Sequence, residues 1–320
     1  MADVVAFGEL LVDFVPTING LGLAGTEAFK KAAGGAPANV AVALARLGVP
    51  SAFMGMVGDD GFGHFLAETL QDAGVDVSPL LFTKRASTAL AFVSLQASGE
   101  REFLFYRSPS ADMLMAAENV DGGAIEKARA FHFGSMSLIS DPSRTATLHA
   151  VDIARRAGKI VTYDPNLRLH IWPDADAARE GMLLGLKHAQ IVKISEEEVT
   201  FLTGQEDPIA GARALWTDDV TFMAVTCGSA GCYWLTQNAQ GKVPGFAVDA
   251  IDATGAGDAF MAGIIAGLLK EPVIPTEPAR LDAICRFANA VGALTATGRG
   301  AIPSLPSRAA VETFLTEWPG

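Results

Sequence analysis

The segment Asp252-Ala-Thr-Gly-Ala-Gly-Asp258-Ala-Phe-Met-Ala-Gly263 carries the strongest chemical signal in the chain. Gly255, Ala256 and Gly257 stand directly before an apolar helical run. Glycine permits turn conformations and lets a backbone approach a ligand closely. The first N–H groups of a helix point outward without intrahelical partners, at the positive end of its dipole. Such a junction suits phosphate oxygens. Asp258 falls in the first turn, where a carboxylate can take the proton of a hydroxyl attacking a phosphoryl group. The same residues also read as a plain strand–turn–helix junction with Asp258 as a helix-start residue. The spacing is neither that of a P-loop nor that of a dinucleotide-binding Gly-x-Gly-x-x-Gly turn.

A second segment, Gly34-Gly35-Ala36-Pro37-Ala38-Asn39-Val40-Ala41, pairs two glycines with an Asn on the first turn of the following helix. An Asn amide can both donate to and accept from hydroxyl groups. By itself this is also an ordinary glycine-rich helix entry.

Taken together, the two segments resemble the signature regions of the ribokinase-like carbohydrate kinases, the PfkB family, in order and separation, and the resemblance runs over essentially the whole chain. It implies a three-layer α/β/α fold with a mostly parallel central sheet and a small β-sheet lid. It also implies phosphoryl transfer from ATP, with Mg²⁺, to a sugar hydroxyl. Asp258 then matches the catalytic base, and Gly255, Ala256 and Gly257 the anion hole. Asp13, Gly34, Gly35 and Asn39 match sugar contacts. Ser195-Glu196-Glu197-Glu198 is similar to the family's Asn-x-x-Glu motif, with Glu198 retained as the residue associated with Mg²⁺ through water and Ser195 departing from the pattern. Lys193, Thr226, Gly228, Gly231 and Asn289 are the further positions assigned to the nucleotide. Asp252, Thr254, Thr295, Gly300 and Ser304 fall where some relatives bind an activating potassium ion.

The region Phe105-Tyr106-Arg107 through Met113 resembles the fructokinase branch, as does Asp164-Pro165-Asn166-Leu167-Arg168 followed by Trp172. D-fructose is therefore the expected substrate, with Arg107, Asn166 and Arg168 reaching sugar or phosphate. The fork of Arg107 suits a hydroxyl, a carboxylate or a phosphate, and a lid-surface charge is its other reading. The runner-up substrate is 2-keto-3-deoxygluconate, and a nucleoside or phosphorylated sugar also fits the motifs. Two other classes stand against these, a dinucleotide-dependent oxidoreductase and a catalytically silent sugar-binding regulatory protein. The first lacks its early glycine fingerprint, and the intact Asp258 argues against the second.

The elements that must position these residues follow from periodicity. Val4–Phe7 is a buried first strand ending at Gly8, and Leu10–Val15 continues extended. Thr17–Lys31 reads as loop or edge, and Pro37–Leu47 as a helix with Pro at its start and Gly48 past its end. Ser51–Val57 is a strand and Phe62–Asp72 a helix. Thr88–Gln96 and Glu102–Tyr106 form a hairpin signature around Ala97–Arg101. Beyond residue 123, helices at 144–157, 176–187, 257–269 and 280–297 alternate with strands at 130–133, 160–163, 190–194 and 221–226. That alternation predicts a mostly parallel sheet covered on both faces. Segments 10–32 and 85–108 do not fit it and are expected to form the lid, inserted in one kinase domain spanning 1–320.

The chain has 320 residues, half of them hydrophobic, and a net charge of −12. With no Lys/Arg-rich run, it is not expected to bind nucleic acid. Its longest apolar run, Ala259–Leu269, is too short to span a membrane. Cys227, Cys232 and Cys285 match no zinc spacing and read as reduced core thiols. A cytoplasmic protein is expected, with a homodimer formed through the lid's strand edges.

Overall fold

The computed structural model describes residues 1–18, 20–95, 101–271 and 273–318. Its strands are β1 Val4–Phe7, β2 Leu11–Pro16, β3 Phe29–Gly34, β4 Ser51–Gly58, β5 Leu80–Thr83, β6 Leu90–Leu95, β7 Arg101–Tyr106, β8 Ala130–Gly134, β9 Ile160–Asp164, β10 Ile191–Ser195, β11 Phe222–Thr226, β12 Cys232–Leu235 and β13 Gln240–Val243. The helices are α1 Ala36–Arg46, α2 Gly61–Asp72, α3 Gly122–Lys127, α4 Ser143–Arg156, α5 Ala175–Leu186, α6 Glu196–Thr203, α7 Pro208–Ala214, α8 Ala256–Leu268, α9 Pro278–Ala296, α10 Ala301–Ser304 and α11 Arg308–Glu317.

Nine strands form the main sheet in the order β13-β12-β11-β10-β9-β8-β1-β4-β5. All neighbours pair parallel except β11–β12 and β12–β13, an antiparallel edge. Side chains alternate between the faces of each strand. Val4, Ala6, Phe222 and Ala224 pack on one face with α1, α8 and α9. Val5, Phe7, Met223 and Val225 pack on the other with α4, α5, α6 and α7. On that second face Phe131, Phe133 and Tyr163 stack from β8 to β9, with centroids 6.1 and 4.8 Å apart. The fold is therefore the expected three-layer α/β/α arrangement around a mostly parallel sheet.

Four strands form a separate small sheet, β3-β2-β6-β7. Here β2 and β6 pair parallel while both outer pairs are antiparallel. These strands come from the two segments that broke the alternation. The last three residues of Thr17–Lys31, from Phe29 on, open the edge strand β3, and the described residues before them are turn and irregular backbone. The turn between β6 and β7, residues 96–100, lies outside the described residues. His132 is a strand residue of β8 whose Nδ1 meets Thr162 Oγ1 at 3.0 Å, and the three cysteines are free and buried. Among the described residues, no helix is long and apolar enough to cross a membrane.

In the main sheet the chain runs outward from β1 through β4 and β5, then returns to β8 on the other side of β1. Strand order reverses between β1 and β8, and the crevice outside the carboxyl ends at such a point is where open α/β sheets bind ligands.

Candidate active site

A cavity of about 330 Å³ opens at that crevice. Each neighbouring strand delivers a lining residue just past or at its carboxyl end: Glu9 after β1, Ser135 after β8, Asn166 and Arg168 after β9, Lys193 on β10. The lid contributes Asp13 and Phe105, and the helix starts contribute Asn39, Gly257 and Asp258.

Asp258 is held on both of its oxygens by side-chain amides. It lies in the first turn of α8 and is buried. Asn39 Nδ2, from the first turn of α1, donates to its Oδ2 at 2.8 Å. Asn166 Nδ2 donates to its Oδ1 at 3.3 Å. Asn166 has φ 48°, the one left-handed non-glycine among the described residues. Asn tolerates that conformation better than most residues, and such outliers gather at functional sites. Burial raises the Asp258 pKa, while Asn39, Lys193 and Arg168 pull it back down and Glu198 adds to the rise. A carboxylate so placed is a stronger base than an exposed one while its hydrogen-bond partners keep it oriented.

The turn before α8 depends on Gly255, the residue that caps the helix, at φ 79°. The N–H of Ala256 donates back to Ala253 O at 3.1 Å. The Ala256 N–H thus closes the turn, while the Gly255 and Gly257 N–H groups take no protein acceptor among the described residues. Behind Gly257 sits Lys193, and a Cβ on that glycine would stand 3.0 Å from its Nζ. The ammonium pairs with Asp164 at 3.1 and 3.2 Å. Desolvation opposes its charge, but Asp164, Glu198 and Asp258 outweigh this and hold its pKa up. A cation thus lies directly behind the turn at the start of α8.

On the sugar side of the resemblance, Gly35 caps α1 at φ 111°, where a Cβ would collide with the Glu9 carbonyl. Gly34 ends β3 beside it. The carboxyl of Asp13 is pushed up to about 7 by burial, with Arg168 pulling it down and Asp258 and Asp252 raising it.

Several expected residues sit elsewhere. Arg107 is neither a surface charge nor a lining residue of the cavity. It is 8% exposed, with Nη2 2.7 Å from Asp112 Oδ2 and Nε 2.8 Å from the same oxygen. Ser110 Oγ donates to the other Asp112 oxygen. Glu198 closes a capping box with Ser195, its Oε2 accepting the Ser195 N–H at 2.8 Å, and its Oε1 accepts the Leu167 N–H at 2.6 Å. Ser195, which departed from the family motif, is therefore the helix cap of α6.

Thr226 ends β11 and Gly228 and Gly231 form the turn after it. Asn289 Nδ2 donates to Val243 O and Pro244 O at 3.3 and 3.1 Å. Thr226 pairs with Ser195 at the carboxyl ends of β11 and β10, Asn289 reaches the end of β13 from α9, and all four lie outside the cavity lining. Among the potassium candidates, Asp252 accepts from Thr254 N–H, Thr254 Oγ1 and Gly300 N–H at 3.0, 2.6 and 2.9 Å. Thr295 Oγ1 donates to Val291 O at 2.8 Å within α9, and the Ser304 side chain packs against Gly298. Sequence reasoning missed Glu9 altogether; its only signal is an acid set directly after an apolar strand and a glycine.

Comparison with known proteins agrees with this geometry. The model of the pfkB family carbohydrate kinases matches residues 1–308. Fructokinase-2 of Zea mays is 48% identical over 315 residues, covering 98% of this chain and 94% of the relative. The structure of a Xylella fastidiosa fructokinase with bound ATP superposes with a TM-score of 0.91 at 35% identity, covering all of both chains. A double mutant of the fructokinase of Vibrio cholerae O395, in its fructose-, ADP- and potassium-bound form, gives a TM-score of 0.88 at 36% identity, covering 98% of each chain. The chain belongs to the pfkB family of carbohydrate kinases.

Proposed function

We propose that this protein is an ATP-dependent fructokinase that converts D-fructose to fructose 6-phosphate. The observation that carries the reading is Asp258, a buried carboxylate at the start of α8, clamped by the amides of Asn39 and Asn166 beside the unpartnered N–H groups of Gly255 and Gly257. The Zea mays, Xylella and Vibrio relatives, all fructokinases in name, support fructose as the sugar.

In the proposed reaction, fructose lies in the cavity between the main sheet and the lid. Asp258 takes the proton of the 6-hydroxyl as its oxygen bonds to the γ-phosphorus of ATP, and the β–γ bridging oxygen leaves with ADP. The Gly255 and Gly257 N–H groups and the Lys193 ammonium face the charge on the transferring oxygens, so most of the work is positioning and electrostatics. Asp13 and Asn39 hold the sugar, and the lid excludes water, which limits wasteful hydrolysis of ATP. The donor set is hard oxygen throughout, which fits Mg²⁺ and K⁺. Glu198, with both oxygens already accepting backbone N–H groups, would hold Mg²⁺ through water, and Asp252, Thr254 and Gly300 would hold K⁺. When bound, Mg²⁺ neutralises phosphate charge.

The lid presents two sheet edges, β3 and β7, with Leu104 and Tyr106 exposed on β7. Such edges favour a homodimer in which two lids pair, and light scattering would report its mass. Three free buried thiols fit a reducing, cytoplasmic compartment.

The test is ADP release with MgATP against fructose, 2-keto-3-deoxygluconate, ribose, glucose and adenosine, with and without potassium. Fructose should give the highest kcat/KM. A higher value for any other acceptor would overturn the substrate while leaving the role of Asp258 intact.

A further inference from the structure

Glu9 follows β1 by two residues and is 3% exposed. Its Oε1 accepts the Ala36 N–H at 2.9 Å and so ties the carboxyl to the start of α1. Its Oε2 is buried and has no hydrogen-bond partner. Five side-chain atoms among the described residues are in this condition, and two of them, Glu9 Oε2 and Asn39 Oδ1, belong to residues that line the cavity. Both acceptors stand at the same helix start. A buried polar group left unpaired loses its hydration with nothing in return, which is why such groups in native proteins call for an explanation.

The backbone N–H groups of Glu9 itself and of Ala36 act on the carboxyl, yet Oε2 is left without a hydrogen bond. The nearby cation, Arg107, is committed to Asp112 and to Met136 O, and the remaining Asp112 oxygen is taken by Ser110. Glu9 lines the cavity, so a donor on a bound molecule can reach Oε2 there. Phosphate oxygens accept and carry negative charge, so a nucleotide's phosphates cannot supply it. A polyhydroxylated molecule can. Asp258, in the first turn of α8, is the carboxylate that would receive the attacking hydroxyl, so the hydroxyl that reaches Glu9 is a different one.

We propose that Glu9 Oε2 accepts a hydrogen bond from a sugar hydroxyl other than the one that is phosphorylated, so that Glu9 orients the sugar and selects for that hydroxyl. This rests on the reading of the cavity as a sugar-kinase site. The consequence is specificity, because a site built to pair a hydroxyl rejects the analogue that lacks it by leaving its own buried group unpaired.

The test compares wild type with Glu9→Gln at a pH of about 8.5 or above, where the Glu9 carboxyl is ionised and Oε2 can only accept, on fructose and on a set of fructose analogues each lacking one hydroxyl, the 6-hydroxyl being kept throughout. Gln retains the acceptor for Ala36 and changes only the free position. The expected result has three parts. Glu9→Gln raises the KM for fructose by about tenfold or more, with kcat and the KM for ATP within about threefold. One deoxy analogue is about tenfold or more worse than fructose for wild type. That same analogue and fructose become nearly equal for Glu9→Gln, because the two losses are one contact counted from either side. Purely additive losses across the whole set overturn the proposal, as does an unchanged KM for fructose. Equal rises in both KM values with a lowered melting temperature also overturn it, since they assign Glu9 only the propping of α1. If the variant does not fold, the fructose complex of the wild type decides. A fructose oxygen within about 3.2 Å of Glu9 Oε2 supports the proposal, and its absence overturns it. Failure of the wild type to phosphorylate fructose is a separate result that contradicts the substrate reading, and the same cycle is then run on the sugar that is turned over.

Discussion

Replacing Gly255 with Ala tests whether the turn before α8 is built around a missing side chain. Gly255 has φ 79° and ψ −3°, a left-handed conformation that costs an ordinary residue roughly 1–2 kcal/mol. The added Cβ would stand 2.6 Å from Ala301 Cβ and 2.9 Å from Ala301 Cα. Neither neighbour is the far end of a flexible chain, so α10 or the turn must move, and overpacking of this kind typically costs about 1–3 kcal/mol. The combined loss is roughly 2–5 kcal/mol. An unfolding entropy of roughly 2.1 cal/mol/K per residue, over 320 residues, converts this to a fall in melting temperature of about 3–7 °C. Displacing the Gly255 and Gly257 N–H groups should lower kcat by about 10²–10³, as loss of an oxyanion-type donor does elsewhere. The assay is ADP release under saturating fructose and ATP, beside a thermal melt. Pairing the change with Ala301→Gly removes the nearer contact but not the backbone strain, so the double variant should recover part of the melting temperature. A Gly255→Ala protein with wild-type kcat and melting temperature would refute the reasoning.

Three further outcomes are expected. Burial pushes the Glu9 carboxyl up from 4.5 to about 7, against the pull of backbone N–H groups and Arg107 and with Asp112 adding to the rise. The folded state thus holds a proton that the unfolded chain releases, and stability is lost as pH rises from about 4.5 to 7. Glu9→Gln should therefore match wild type in denaturant stability at low pH and exceed it by roughly 3 kcal/mol above neutrality; an equal gap at both ends would contradict this. Lys193→Met removes the cation beneath Gly257 and leaves Asp164 buried without its partner, so kcat should fall by about 10² or more, and activity within a few-fold of wild type would exclude a role in charge stabilisation. Ser195→Ala deletes the cap of α6 and should cost about 1 kcal/mol, or roughly 1.5 °C, with kcat nearly unchanged; a large loss of kcat would give Ser195 a part in chemistry.

Much of the site was legible because its chemistry is local. Gly255 and Asp258 share one turn, and Gly35 and Asn39 share another, so residue type and spacing alone expose both helix starts. Their meeting could not be read from spacing, since the bond between Asn39 and Asp258 joins positions 219 residues apart. The parallel pairing of β2 with β6, which builds the lid, is likewise long-range. The pairing of Arg107 with Asp112 was not legible, because Asp112 lies five residues on in a single 3-10 turn where periodicity says nothing about which way a side chain points. Glu198 shows the opposite effect: the Ser-x-x-Glu spacing is a capping box by ordinary helix rules, which the family resemblance, pointing to Mg²⁺, leaves in the background. Spacing could not show that the Ala256 N–H turns back to Ala253 while those of Gly255 and Gly257 do not. Glu9 left almost no trace, because one acid after an apolar strand resembles a strand end, and only the buried, unpaired oxygen marks it out.

The central claim is that Asp258 accepts the proton of the attacking hydroxyl. Its most direct test is Asp258→Asn, which preserves size and leaves the first turn of α8 in place. Fructose phosphorylation should fall by about 10²–10⁴ in kcat while fructose binding, measured calorimetrically, stays within a few-fold of wild type. A variant that turns over fructose at close to the wild-type rate would contradict the account.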